Sequence, residues 1–183
     1  GWHKFMPANR CLTDCLYCYA DKSHKMGSSL PFSRLIEIMD EAMDLGVLSF
    51  NVVGGETFCY PQWKQLLAEI KKRNFQMMRL STKMPLSEED IDYLKSIGIN
   101  EIQVSLDSLE VATEQHIVKV DENYVNRVMQ SLRWLKGKDF DVQIATVLTR
   151  FNDNLQNLEA MFRFFEEIHV DSWNLTPGFE SLY

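Results

Sequence analysis

The sequence predicts an α/β fold, a partial (β/α)6 barrel of the TIM type with parallel strands. Short apolar runs of strand length alternate with longer segments whose apolar residues recur at helical spacing, and that alternation imposes parallel pairing through right-handed crossovers. Polar, glycine-rich or cysteine-rich clusters stand at the carboxyl ends of successive strands, the end at which a parallel barrel builds its site. No low-complexity linker or strong repeat interrupts the pattern.

The elements follow in order. Lys4–Pro7 is a short strand leading to a cysteine loop. Leu35, Ile36, Met39, Ala42 and Met43 mark a helix over Ser33–Leu45, closed by Gly46. Leu48–Val53 is the second strand and ends in Gly54-Gly55-Glu56. Pro61 opens a helix carrying Leu66, Leu67 and Ile70, with Lys71, Lys72 and Arg73 in its last turn. Phe75–Ser81 is the third strand. Ser87 caps the next helix, with Asp90 in the reciprocal capping position, Leu86 placed to staple onto Ile91, and Gly98 at the end. Glu101–Leu106 is the fourth strand. Val125, Val128, Met129, Leu132 and Leu135 mark a helix that stops at Gly137, before the fifth strand, Phe140–Leu148. Leu155, Leu158, Met161, Phe162 and Phe165 form a further stripe, and Val170–Leu175 is the sixth strand. These stripes read as packing faces against a sheet. The sixth strand is expected to present an unpaired edge, with Trp173, Phe179 and Tyr183 packing on lateral helices or on sequence outside this chain.

Composition narrows the function classes. The chain has 183 residues, 45% of them hydrophobic, enough for one domain over residues 1–183 with a sizeable core. It begins near one strand and stops just past another, so it is expected to be a core domain excised from a longer protein. A formal net charge of −7 argues against nucleic-acid or anionic-membrane partners, and no apolar run is long enough to span a bilayer. Clustered cysteines without a signal peptide suggest a reducing, cytoplasmic setting.

Cys11, Cys15 and Cys18 stand in the spacing C-x3-C-x2-C. Three thiolates so close in sequence can fold over one metal centre from a single loop. On a four-iron cluster they leave one iron without a protein ligand, open to a substrate or cosubstrate. The other readings are a structural zinc site with His24 as a fourth ligand, and three unconnected buried cysteines. Gly54 and Gly55 let a ligand approach the backbone, and Glu56 can accept from an ammonium group; an ordinary turn is the alternative. Ser105 and Asp107 suit a ribose or a carboxylate-bearing ligand, and Asp107 also suits a helix N-cap. Cys59 reads as a small packing residue, because a fourth thiolate would fill the open iron.

The triplet, with Tyr17 as its aromatic residue, resembles the C-x3-C-x-aromatic-C loop of the radical S-adenosylmethionine (SAM) superfamily. Gly54-Gly55-Glu56 resembles the stretch that contacts the amino group of SAM there, although Thr57 stands where many relatives have proline. Val-Ser-Leu-Asp-Ser, with Tyr19 after the last cysteine, resembles the subgroup that modifies peptides and proteins, the SPASM-type maturases. The resemblance implies a 4Fe–4S cluster held by Cys11, Cys15 and Cys18, with SAM on the open iron. SAM contacts fall to Tyr17, Gly54, Gly55, Glu56, Ser105 and Asp107, with Leu175 giving a backbone contact to adenine. The subgroup often carries an arginine for the SAM carboxylate; here Lys119 or His116 stands in that region.

The implied chemistry is reductive cleavage of SAM to a 5′-deoxyadenosyl radical, which abstracts hydrogen from a substrate. No general base is required for that step, and none is assigned. The implied partners are a peptide or protein substrate, in maturation of ribosomally made peptides or of sulfatases, and a flavodoxin- or ferredoxin-type reductant. The alternatives are action on a small molecule or nucleotide and, from another class, a non-catalytic metal-stabilised binding module.

Overall fold

The computed structural model describes residues 3–18, 29–77 and 80–178. The elements are β1 (His3–Phe5), α1 (Phe32–Asp44), β2 (Ser49–Val52), α2 (Trp63–Lys72), β3 (Gln76–Met77), β4 (Ser81–Thr82), α3 (Glu88–Ser96), β5 (Glu101–Ser105), α4 (Val111–Val118), α5 (Tyr124–Gly137), β6 (Asp141–Leu148), α6 (Leu155–Glu167) and β7 (Ser172–Pro177). Among the described residues every pairing between these strands is parallel, in the orders β1-β2-β3 and β4-β5-β6-β7, and one isolated antiparallel bridge joins Ala8 and Ser29. β3 and β4 flank residues 78–79, which lie outside the described residues, and together they stand for the third strand. Gln76 pairs with Ser49 of β2 and Ser81 pairs with Gln103 of β5, so this one stretch links both sheets. The result is the partial parallel barrel, with β1 and β7 at the ends of the strand order among the described residues.

The core lies where the helix stripes meet the strands. Leu35 and Met39 of α1, Leu66, Leu67 and Ile70 of α2, and Ile91 and Leu94 of α3 are all fully buried. Each such side chain stabilises the fold by roughly 1.5–3 kcal/mol relative to exposure. Phe50 stacks on Phe5 at 4.9 Å and packs at a tilt against Phe75 at 4.3 Å, fixing the first strands side by side.

Several local expectations need correction. Asp107 is not a helix cap: α4 starts at Val111 behind Glu110, whose amide donates to Ser108 Oγ at 3.0 Å. Ser87 Oγ does accept from the Asp90 amide, at 3.1 Å, but the Asp90 carboxylate accepts from the Ser87 hydroxyl at 2.8 Å rather than reaching the Ser87 amide. Pro61 does not open α2 directly; a 3-10 turn at Thr57–Cys59 precedes it and the helix begins at Trp63. α4 is not legible in the sequence pattern, because its buried face includes Glu114 beside Ile117 and Val118, and a buried carboxyl breaks the apolar stripe. Trp173 packs edge-on to Phe165 of α6 at 5.1 Å and its Nε1 donates to Thr146 Oγ1 at 2.9 Å. Phe179 and Tyr183 lie outside the described residues. Among those described, no helix is long and apolar enough to cross a membrane.

Candidate functional site

The cysteine loop is pinned by backbone before any side chain matters. On one side the Glu56 amide donates to Arg10 O at 2.8 Å and the Gly55 amide to Ala8 O at 3.3 Å. On the other, the Asp14 amide donates to Val118 O and the Leu16 amide to Ile117 O, both at 2.9 Å. The loop therefore bridges the end of β2 and the last turn of α4. Cys15 is buried against Ile117 and Val118, and burial pushes its thiol pKa up against the opposing pull of Lys83 and Thr13. The Thr13 hydroxyl lies 3.3 Å from Cys11 Sγ and 3.3 Å from Cys15 Sγ.

Cys11, Cys15 and Cys18 all line one cavity of about 320 Å³, together with Tyr17, residues 54–57, residues 81–83 and Ser105. The carboxyl ends of β2, β4 and β5 thus converge on the loop as the barrel rule requires.

The glycines have a definite steric reason. A Cβ on Gly55 would sit 2.3 Å from Arg10 O and 2.5 Å from Asn9 O; one on Gly54 (φ +152°) would sit 2.3 Å from Ala8 O. What approaches these residues so closely is the chain's own backbone on its way to Cys11.

Glu56 is buried, and its carboxylate joins two strand ends. Oε1 accepts from the Phe58 amide at 3.1 Å and from Thr82 Oγ1 at 3.0 Å, and Oε2 accepts from the Lys83 amide at 2.9 Å. Burial raises its pKa, while these donors and the Lys83 charge oppose the rise. A carboxylate oxygen has two lone pairs, so this set leaves Oε2 one acceptor position.

Asp107 is fully buried and stands behind the cavity wall. Its Oδ1 accepts from the Val147 amide at 2.8 Å, and its Oδ2 accepts from Lys83 Nζ at 3.0 Å and from the Tyr17 hydroxyl. Its carbonyl accepts from Asn152 Nδ2 at 2.8 Å. Burial alone would lower the pKa of Lys83, but Asp107, then Tyr17, hold it well above its ordinary value, so the ammonium stays charged. Burial likewise raises the Tyr17 hydroxyl pKa.

Glu114 completes this cluster. It is fully buried; Oε2 accepts from the Ser108 amide at 2.8 Å, and Oε1 has no hydrogen-bond partner among the described residues. Burial, opposed by Lys83 and reinforced by Asp107, pushes its pKa up to about 8 from the ordinary 4.5. A carboxyl with a raised folded pKa binds its proton more tightly when folded, so its contribution to stability is lost as pH rises between those two values. Glu114→Gln cannot titrate, so its stability relative to wild type should increase from about pH 4.5 to about pH 8. Urea unfolding of both proteins at several pH values checks this, and a constant difference would contradict it.

Other residues singled out in the sequence stand elsewhere. Lys119 is an exposed left-handed cap of α4 (φ +61°), and His116 is exposed with its ring edge-on to Phe151 at 4.4 Å. Neither lines the cavity, and nor does Leu175, which is 46% exposed on β7. Among the described residues the cation lining the cavity is Lys83. The sequence signal for it was a lysine directly after Ser81-Thr82 at a strand end. Cys59 is outside the cavity lining, and burial, Glu56 and Cys11 raise its thiol pKa, so it is not an activated thiolate. Tyr19 and His24 lie outside the described residues.

Among the described residues no three His, Cys, Asp or Glu side chains converge on a single-ion site. Three soft donors spread along one cavity wall, two of them separated by the Thr13 hydroxyl, suit a cluster whose thiolates bind different irons.

The family model described as Radical SAM superfamily matches residues 5–165. The chain is 26% identical over 154 residues to a PqqA peptide cyclase of Granulibacter bethesdensis, across 84% of this chain and 40% of that protein. It is 23% identical over 168 residues to a probable GTP 3′,8-cyclase of Methanococcus vannielii, across 88% of this chain and 57% of that protein. The chain thus spans about half the length of these curated relatives. Among solved structures, Streptococcus suis SuiB bound to precursor peptide SuiA superposes with a TM-score of 0.81 at 18% identity, over 97% of this chain and 39% of that one. That likeness is one of fold.

Proposed function

This chain belongs to the radical SAM superfamily, and we propose that it is the core domain of a longer enzyme that abstracts hydrogen from a peptide or protein side chain. Membership makes it an enzyme core whose cofactors are a 4Fe–4S cluster and SAM. The observation that carries the reading is the meeting of Cys11, Cys15 and Cys18 with Gly54-Gly55-Glu56 around one cavity.

In this reading the three cysteines hold the cluster. When bound, the cluster would supply the one-electron reduction of SAM on which the radical chemistry depends. Glu56 offers the remaining acceptor position of Oε2 to the SAM ammonium, a charge-assisted hydrogen bond. The Ser105 hydroxyl faces the ribose or carboxylate. Lys83 supplies the positive charge for the carboxylate, in place of Lys119 or His116. The Tyr17 ring forms part of the wall that keeps water from the cluster. The electron comes from a flavodoxin- or ferredoxin-type partner, and the thiolate ligands suit a reducing, cytoplasmic setting.

A peptide or protein substrate is supported by Val-Ser-Leu-Asp-Ser at the end of β5 and by the similarity to a peptide cyclase. The second reading, a nucleotide substrate, is favoured by the similarity to probable GTP 3′,8-cyclases. Anaerobic turnover of the full-length enzyme with SAM, a reductant and deuterated candidates separates the two. Deuterium appearing in 5′-deoxyadenosine from a peptide is the expected result; deuterium from GTP alone would transfer the assignment to the second reading.

A further inference from the structure

The Tyr17, Lys83 and Asp107 side chains join segments far apart in sequence. Tyr17 belongs to the cysteine loop, Lys83 follows β4 and Asp107 follows β5; the amide that Asp107 also receives, from Val147, belongs to β6. Lys83 Nζ lies 5.5 Å from the centre of the Tyr17 ring, and its side chain is 13% exposed, opening toward the cavity. Asp107 has no exposure and both carboxylate oxygens are occupied by protein donors. It is poorly placed to receive a ligand and well placed to hold two residues that line the cavity.

We propose that Asp107 is a positioning residue that fixes the Lys83 ammonium and the Tyr17 ring against the cysteine loop, and that this buried charge pair sets how readily the cluster accepts its electron. The inference rests on the radical SAM assignment and adds a role for Asp107 and Lys83 within it. The physical reason is electrostatic. Reduction adds a negative charge at the cavity that Cys15 and Lys83 both line, with Asp107 directly behind Lys83 at 3.0 Å. In a site screened from water, a nearby cation stabilises the reduced form and a nearby anion destabilises it. Asparagine at position 107 keeps an oxygen that can accept from Lys83, so Asp107→Asn removes the anion while leaving the cation held; the two residues therefore act with opposite sign, which a packing role would not produce.

The test is the reduction potential of the anaerobically reconstituted protein, measured without SAM by redox titration followed by electron paramagnetic resonance. Lys83→Met is expected to shift the potential downward and Asp107→Asn upward. The double variant is expected to lie above Lys83→Met alone. Single variants that leave the potential unchanged, or shift it in the same direction, would overturn the proposal. So would an Asp107→Asn protein whose SAM affinity falls while its potential stays put, since that is the signature of a direct ligand contact. Removing one partner of a buried pair can prevent folding; if Asp107→Asn does not fold, the double variant, which loses both charges, carries the comparison with Lys83→Met. Failure of the wild-type protein to take up a cluster would contradict the family-based function instead, so the two failures are distinct.

Discussion

Replacing Cys11, Cys15 and Cys18 together by alanine is expected to abolish uptake of iron and sulfide, and with it SAM cleavage, while leaving the fold in place. The two halves of that expectation have different causes. Thiolates are the soft ligands an iron–sulfur cluster needs, and alanine offers no donor; the Thr13 hydroxyl between two of the sulfurs is a poor substitute. The loop itself is held by the Asp14, Leu16, Gly55 and Glu56 amides, none of which involves a sulfur. Only Cys15 is buried, so the packing loss is limited to one small side chain, about 1 kcal/mol. Iron and sulfide analysis with circular dichroism checks both halves. A variant that still carries a cluster and cleaves SAM would remove these cysteines from the account.

Gly55→Ala is expected to be nearly as damaging by a different route. The added Cβ falls within 2.6 Å of three backbone atoms of residues 9 and 10, and backbone cannot swing aside as a side-chain tip can. Either the chain ahead of Cys11 moves or the carboxyl end of β2 does, and the Glu56 amide then loses Arg10 O. Overpacking of this kind costs about 3 kcal/mol. The displacement is directed at the first cluster ligand, so iron content should fall together with stability. Gly46→Ala is the contrast: no atom of the described residues lies within 4 Å of its added Cβ and only its φ of +74° is strained, so it should lose some stability and keep its iron. Urea midpoints and iron content of the two variants check the prediction. A Gly55→Ala protein as stable and as iron-rich as wild type would show that the close approach is not needed.

The features legible in the sequence were those whose signal is local. The stripes of α1, α2 and α3 bury Leu35, Met39, Leu66, Ile70, Ile91 and Leu94 because apolar residues at helical spacing share one face. The cysteine loop and Gly54-Gly55-Glu56 declared themselves by spacing and by their place after a strand. What escaped depends on partners distant in the chain. Asp107 looked like a ligand contact or a cap, because nothing near it in sequence shows that Tyr17, 90 positions away, donates to it. Lys83 looked like an ordinary strand-end lysine until Asp107 gave it a buried counter-charge. Only its position in the chain favours Lys119, and the left-handed cap of α4 leaves it exposed. α4 escaped because Glu114 occupies a position where an apolar residue would have completed the stripe.

One measurement bears most directly on the claim that this chain is a radical SAM core. The protein, reconstituted anaerobically with iron and sulfide, is analysed for bound metal and then incubated with SAM and a strong one-electron reductant. About four irons and four sulfides per chain are expected, with reductant-dependent formation of 5′-deoxyadenosine and methionine. Stoichiometric zinc in place of iron, or a full cluster that leaves SAM intact under reducing conditions, would contradict the account.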